Sequence, residues 1–216
     1  MKKKIIALLP MRGGSKGIKN KNIKLFKNKP LCLWALESVL KCKLIDEVYV
    51  STDSMRIKKI VKKFNEKIFV IDRNPNLAKD NTSTESVMLD FIKNRDFDIL
   101  ILVQVTSPFL STHDLDGAIN KFYKFNFDSL FSSVRLKRFF WTDKLKPINY
   151  DPFNRPRRQS FKGTLVENGS FYITKSNILK KFKNRLGGKI GTYEMSEKNF
   201  YELDNIIDWK ILSIIN

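Results

Sequence analysis

Four cations, Arg12, Lys16, Lys19 and Lys21, share one short stretch with Gly13, Gly14 and Gly17. Glycine lets a backbone approach a ligand closely and turn its N–H groups toward it, and nearby cations add positive charge. Together they describe a cradle for phosphates. The wording is neither the Walker A pattern G-x-x-x-x-G-K-[ST] nor the dinucleotide pattern G-x-G-x-x-G. By composition alone, the same stretch is equally a basic surface turn. Toward the other end of the chain, Glu202, Asp204 and Asp208 lie close together. If the chain is extended there, Glu202 and Asp204 point to one side, an arrangement that suits Mg²⁺. Otherwise they are two exposed acids at a strand end. His113 is the only histidine, and Cys32 and Cys42 are the only cysteines, with nothing clustered around them. A zinc site and a Cys–His nucleophile pair are therefore excluded. Chemistry here must run on carboxylates, cations, hydroxyls and amides.

These groups need elements to hold them. Ile5 to Leu9 is an apolar run with the length of a buried parallel strand, and the glycine stretch follows it directly. Pro30 reads as the first position of a helix carrying Leu31, Trp34, Ala35, Val39 and Leu40. Residues 47–51 read as a second strand with Asp53 just past its end, where open α/β sheets bind ligands. Asp53 reads mainly as the cap of the next helix, whose apolar face is Ile57, Ile60, Val61 and Phe64. A short third strand covers 68–71, and Thr82 or Ser83 caps the helix after it.

Residues 98–103 form the most apolar run, expected to be the central strand, with Gln104 and Thr106 at its end. Ser111 and Asp114 make a capping box for the following helix, with His113 exposed in its first turn. Strands are expected at 128–134, 171–174 and 190–195. A basic helix is expected to run to about Arg185 and to stop at Gly187-Gly188. Asp208 reads as the cap of a terminal helix. Residues 135–167 form an irregular segment, aromatic and basic, in which Arg155, Arg157 and Arg158 read by charge alone as a solvated loop.

The chain has 216 residues, 42% of them hydrophobic, which fits a single α/β domain spanning 1–216. No apolar run suffices to span a bilayer, and Lys2 to Leu9 has no small-residue cleavage site, so a cytoplasmic protein is expected. The net charge of +19 would suit nucleic acid, but the lysines are scattered and no helix-turn-helix, zinc-finger or RNP signature accompanies them. Nucleic-acid binding stays as a rival of a different class. A positive field also draws in a nucleoside triphosphate or a carboxylate.

Several segments carry a resemblance beyond composition. The glycine stretch reads R-G-G-S-K-G-x-x-x-K-N and is followed by Lys29-Pro30-Leu31. V-S-T-D recurs at 50–53. Residues 73–84 follow R-P-x-x-L-A-x-D-x-x-S-x, except that Asn74 stands in the proline's place with Pro75 one position later. Q-x-T-S-P occupies 104–108, R-P-R-R-Q occupies 155–159 ahead of Glu167-Asn168-Gly169-Ser170-Phe171-Tyr172, and Glu202 and Asp204 stand where D-x-D is usual. In this order, the segments resemble the N-acylneuraminate cytidylyltransferases, closest to the animal-type pattern. The animal enzymes' C-terminal phosphatase-like domain is not expected here.

The resemblance implies a three-layer, Rossmann-like nucleotidyltransferase domain with a mostly parallel sheet, acting as a homodimer. It implies CTP and a sialic-type sugar acid as reactants, giving CMP-sugar and pyrophosphate, with Mg²⁺ (or Mn²⁺) as the cofactor. Arg12, Lys16, Lys21 and Asp204 would then be catalytic. Gly13, Gly14, Ser15, Asn22, Arg73, Thr82 and Thr84 would bind the nucleotide. Gln104, Arg157, Gln159, Asn168 and Tyr172 would bind the sugar, and Asp204 with Glu202 the metal. Legionaminate and pseudaminate enzymes share nearly every motif and remain alternatives. A Kdo enzyme usually carries R-x-x-S-T-R-L-P-G-K-P-L, which is absent here.

Overall fold

The computed structural model describes residues 3–93 and 95–215. Its centre is a seven-stranded sheet, and the alternation of a buried strand explains how it is covered. Strand β1 (Ile5–Pro10) pairs in parallel with β4 (Glu47–Thr52) on one side and β6 (Ile99–Val103) on the other. Ile5, Ala7 and Leu9 face one layer with Ile99, Ile101 and Val103. That layer is built from α1 (Leu31–Lys41), α2 (Met55–Phe64) and α4 (Thr112–Lys124). Ile6, Leu8, Leu100 and Leu102 face the opposite layer, built from α3 (Thr84–Ile92) and α5 (Ser176–Phe182). Every residue of β6 is buried, as a strand covered on both faces requires.

The remaining strands are the hairpin pair β2 (Leu25–Phe26) and β3 (Lys29–Pro30), then β5 (Phe69–Asp72), β7 (Ser129–Leu136), β8 (Thr164–Lys175) and β9 (Ile190–Met195). Helix α6 (Ile206–Ile214) ends the described fold. The sheet order is β5-β4-β1-β6-β8-β7-β9. β8 is antiparallel to both its neighbours while all other pairs are parallel, so a single strand is reversed. The ends of β1, β4 and β6 therefore meet the beginning of β8 along one edge. Among the described residues, no helix is long and apolar enough to cross a membrane.

Several local expectations are corrected. The irregular segment is shorter than 135–167, because β7 reaches Leu136 and β8 begins at Thr164. The first half of β8 lacks an apolar pattern because it extends past β6 and pairs only with β7, across a register shift. Pro30 is the residue before α1, with extended ψ. Ser54, not Asp53, caps α2 by accepting from the Ile57 N–H. Helix α5 stops at Phe182, where Lys183 adopts a left-handed φ of 51°, ahead of the glycine pair. Asn205 caps α6, and Asp208 is its capping-box partner three residues on.

Candidate functional site

The glycine stretch leaves β1 at the sheet edge, buries Ile18, and is fixed around it by hydrogen bonds. Asp53, freed from capping, accepts the Gly13 N–H at 2.8 Å. Asn22 is buried and donates to the Arg12 carbonyl at 2.9 Å. Between them these bonds hold the loop against the end of β4.

A cleft of about 240 Å³ opens between this loop, the 73–84 segment and the end of β6. Its walls include Arg12, Gly14, Ser15, Lys21, Asn22, Arg73, Thr82, Thr84 and Gln104. Gly13 lies behind the loop, near Ser54. Lys16 reaches the same region through Asp80, 3.1 Å away, and Arg12 pairs with that carboxylate as well. Hydrogen bonds from Lys16 and Arg12 hold the Asp80 carboxyl below its ordinary range, so it is charged.

Arg73 is the buried cation of the cleft. Its Nη2 donates to the Ser51 carbonyl at 2.7 Å and its Nε to the Ser51 hydroxyl at 3.2 Å. Burial lowers its pKa from the usual value, and the neighbouring Asp53 opposes that shift. The guanidinium is therefore held rigidly, with Nη1 left without a protein partner among the described residues. Ser83 caps α3, so Thr82 to Thr84 present hydroxyls at a helix start.

The carboxylates arrive from the far end of the chain. Leu203 is fully buried and its N–H donates to the Thr106 carbonyl at 2.9 Å, which pins the 202–204 segment beside the end of β6. Trp209 of α6 packs edge-on against Phe26, with ring centroids 5.6 Å apart, and keeps that segment from drifting. Two glycines permit the approach. A Cβ on Gly17 would come within 2.1 Å of the Asp204 carbonyl oxygen. Gly169 has φ +67°, and a Cβ there would sit 2.3 Å from Glu202 Oε1. Lys21 donates to Asp204 Oδ1 at 2.9 Å. Burial, then the charge of Asp204, push the Glu202 carboxyl up to about 7.

That shift bears on metal fit. Burial first, and the neighbouring Asp204 second, make charge costly on Glu202, and a cation held beside the two would relieve that cost. Among the described residues, no group of three or more His, Cys, Asp or Glu is placed to hold a metal alone. The donor set therefore suits an ion that keeps waters and takes phosphate oxygens from a ligand, as Mg²⁺ does.

Of the five residues expected at the sugar, Gln104 lines the cleft and the other four do not. Arg157 and Gln159 are exposed on the 137–163 connection. Next to them, Arg158 helps line a second hollow of about 310 Å³ with Arg135, Lys137, Arg138, Glu194 and Glu197. Asn168 is buried and donates to the Asn199 carbonyl at 2.9 Å and to the Ser170 hydroxyl at 3.0 Å. Tyr172 lies in the apolar layer under α3 and α5. Its hydroxyl donates to Glu167, and the Arg185 guanidinium stacks 4.7 Å from its ring centroid.

The sequence assigns no anchoring role to the Thr106 carbonyl or the Asp53 carboxylate, and no clasp to Asp80. Their only sequence signal was position: each stands within a quoted motif at a strand end or in a polar loop.

Comparison with known proteins adds to this geometry. The family described as Cytidylyltransferase matches residues 6–214. An N-acylneuraminate cytidylyltransferase of Oncorhynchus mykiss is 39% identical over 97% of this chain and 50% of its own length. A CMP-N,N'-diacetyllegionaminic acid synthase of Campylobacter jejuni is 27% identical over 98% of this chain and 94% of its own. The chain spans about half the length of the animal relatives it matches. Among solved structures, a CMP-2-keto-3-deoxy-manno-octonic acid synthetase in complex with CTP superposes with a TM-score of 0.72 at 17% identity, over 97% of each chain, and shares the fold.

Proposed function

This chain belongs to the cytidylyltransferase family, and from that premise we propose that it joins CTP to a nonulosonic, sialic-type acid, giving a CMP-sugar and pyrophosphate. An N-acylneuraminate is the first choice of acid, in keeping with the trout relative. A legionaminate-type acid is the second reading, favoured by the bacterial relative whose length this chain nearly spans. The observation that carries the proposal is the convergence of Arg12, Lys21, Arg73, Thr82 and Thr84 on one cleft, with Asp204 clasped to Lys21 at its side.

The sugar's anomeric 2-hydroxyl attacks the α-phosphorus in line. Its oxygen forms the new P–O bond as the bond to pyrophosphate breaks, and the hydroxyl's proton leaves to a carboxylate or to solvent. Such a transfer asks for positioning and charge neutralisation more than for covalent catalysis. Arg12, Lys16 and Lys21 offset the charge of the triphosphate, Gly14 and Ser15 line its bed, and Gly13, expected there as well, instead anchors the loop from behind through Asp53. Arg73, Asn22, Thr82 and Thr84 border the base, where unpaired donors and acceptors would penalise a wrong one. Gln104 faces the junction between nucleotide and sugar. Arg157, Gln159, Asn168 and Tyr172 are assigned to the sugar side on the strength of their motif. Asp204 with Glu202 would hold Mg²⁺, which supplies neutralisation at the α-phosphate and the leaving pyrophosphate.

The reading includes a cytoplasmic homodimer. Phe153 and Leu145, 99% and 79% exposed on the 137–163 connection, support a covering surface. Light scattering at twice the chain mass is the expected result.

The test is to supply the purified chain with CTP, Mg²⁺ and, in turn, N-acetylneuraminate, legionaminate, pseudaminate and Kdo, and to weigh the products. A CMP adduct of N-acetylneuraminate is expected. An adduct of legionaminate alone selects the second reading. No adduct with any acid, together with salt-sensitive retention of DNA, would overturn both.

A further inference from the structure

Every cation on the glycine stretch that faces the cleft is already answered by a carboxylate of this chain. Lys21 is held by Asp204. Arg12 and Lys16 are both held by one residue, Asp80. Asp80 stands on a compact polar loop. Within it, the Leu77 N–H bonds the Asn74 carbonyl, the Ala78 N–H the Pro75 carbonyl, and the Thr82 N–H the Lys79 carbonyl, at 2.8–3.1 Å. Among the described residues, the ion pairs joining this loop to the glycine stretch run through Asp80 alone.

The cations that Asp80 occupies are those a triphosphate needs. We infer that Asp80 is an internal stand-in for phosphate, which sets how much negative charge a nucleotide must bring to enter the cleft. This rests on reading the cleft as a triphosphate site.

The physics is a competition. A single carboxylate offers one negative charge to two cations. A triphosphate offers several, spread over enough oxygens to reach Arg12 and Lys16 together. A nucleoside without phosphates offers nothing to them and leaves the clasp closed. Asp80 is exposed, so solvent weakens the clasp enough for a polyanion to displace it. Once pyrophosphate forms, the same carboxylate is at hand to reclaim both cations and lower the affinity for the leaving group. Asp80 thereby selects for triphosphates and against retention of pyrophosphate. Displacement also releases the 74–83 loop from the glycine stretch, so phosphate binding and loop mobility are linked.

The experiment compares the parent with Asp80→Asn and Asp80→Glu. Calorimetry measures binding of inorganic tripolyphosphate, CTP and cytidine, and amide exchange is followed over residues 74–83. Removing the charge should tighten tripolyphosphate and CTP by about three- to tenfold, the scale of exposed ion pairs. Cytidine should be unaffected, and Asp80→Glu should stay near the parent. In the parent, tripolyphosphate should speed exchange in 74–83 toward the rate of ligand-free Asp80→Asn.

Unchanged or weakened tripolyphosphate binding in Asp80→Asn would overturn the inference, even if CTP and a sugar acid still give product. Equal tightening of cytidine would overturn it too. Tighter tripolyphosphate with no turnover of CTP would uphold the clasp while removing the assigned reaction.

Discussion

The two halves of the sheet hold their polar groups in different ways. In the half made of β5, β4, β1 and β6, the groups sit on strand ends or on loops tied down within a few residues. Arg73 is buried and bonded twice to Ser51, Asn22 grips the Arg12 carbonyl, and Asp53 holds the Gly13 N–H. In the half made of β8, β7 and β9, Arg157 and Gln159 ride an exposed connection between Leu136 and Thr164, while Asn168 and Tyr172 are buried with partners of their own. The first half has its polar groups fixed in advance at the cleft. The second splits its own between exposed side chains that packing does not fix, Arg157 and Gln159, and buried ones turned to partners within the fold, Asn168 and Tyr172. Glu202 and Asp204 lie at the seam, brought there by Leu203, Gly17 and Gly169.

The seam should be the most sensitive place. Asp204→Asn is expected to reduce turnover nearly to background at every Mg²⁺ concentration, since it removes a short-armed oxygen donor and the partner of Lys21 together. Glu202→Gln should be milder and partly rescued by added Mg²⁺ or Mn²⁺. Metal titration of both variants at saturating CTP and sugar acid checks this. Near-normal Asp204→Asn activity, or a parent indifferent to EDTA, would remove the seam from the chemistry.

Within the fixed half, Lys21→Ala should lower kcat/KM by ~10²-fold or more, the scale of a preorganised electrostatic contact. An unchanged kcat/KM would shift that role to Lys19. In the exposed half, Arg157→Lys keeps the charge but loses the planar fork that pairs with a carboxylate. A rise in the sugar's KM of roughly tenfold is expected, with CTP affinity intact. A fall in CTP affinity instead would erase the division between the halves.

The smallest effect concerns the link between them. Arg185, beyond α5, donates from Nε to Glu85 Oε1 at 2.5 Å in the first turn of α3, beside Thr84. The hydrogen bond from Arg185 holds the Glu85 carboxyl below its ordinary range. A lowered carboxylate stabilises the fold above its unfolded pKa, and the gain is lost as pH falls through the folded value. Glu85→Gln should therefore cost about 1 kcal/mol at pH 7, and the gap from the parent should close below about pH 4. Denaturant midpoints at the two pH values measure it; an equal gap at both would contradict the linkage.

The same contrast explains what was legible in the sequence. Ile99–Val103 and Ile5–Pro10 announce themselves because a strand buried on both faces must be apolar throughout. The 190–195 strand and the Ser111–Asp114 capping box were equally readable. The first half of β8 was not, because Glu167, Asn168 and Gly169 follow no strand pattern where only one neighbour pairs with them. Helix caps were misplaced by one to three residues at Asp53 and Asp208, since Asp, Ser and Asn compete for the same role. The cleft's residues were legible as motifs. The clasps on Asp80 and Asp204 were not, because they join segments far apart in the chain and only the fold makes them neighbours.

The central claim is that the fixed half reads cytidine triphosphate for transfer to a sugar acid. Pyrophosphate release with N-acetylneuraminate, measured with CTP, UTP, ATP and GTP in turn, tests it most directly. The account predicts release with CTP far above the other three, and none with CTP when the sugar acid is omitted. Comparable rates with UTP or ATP, or release that does not need the acid, would contradict it.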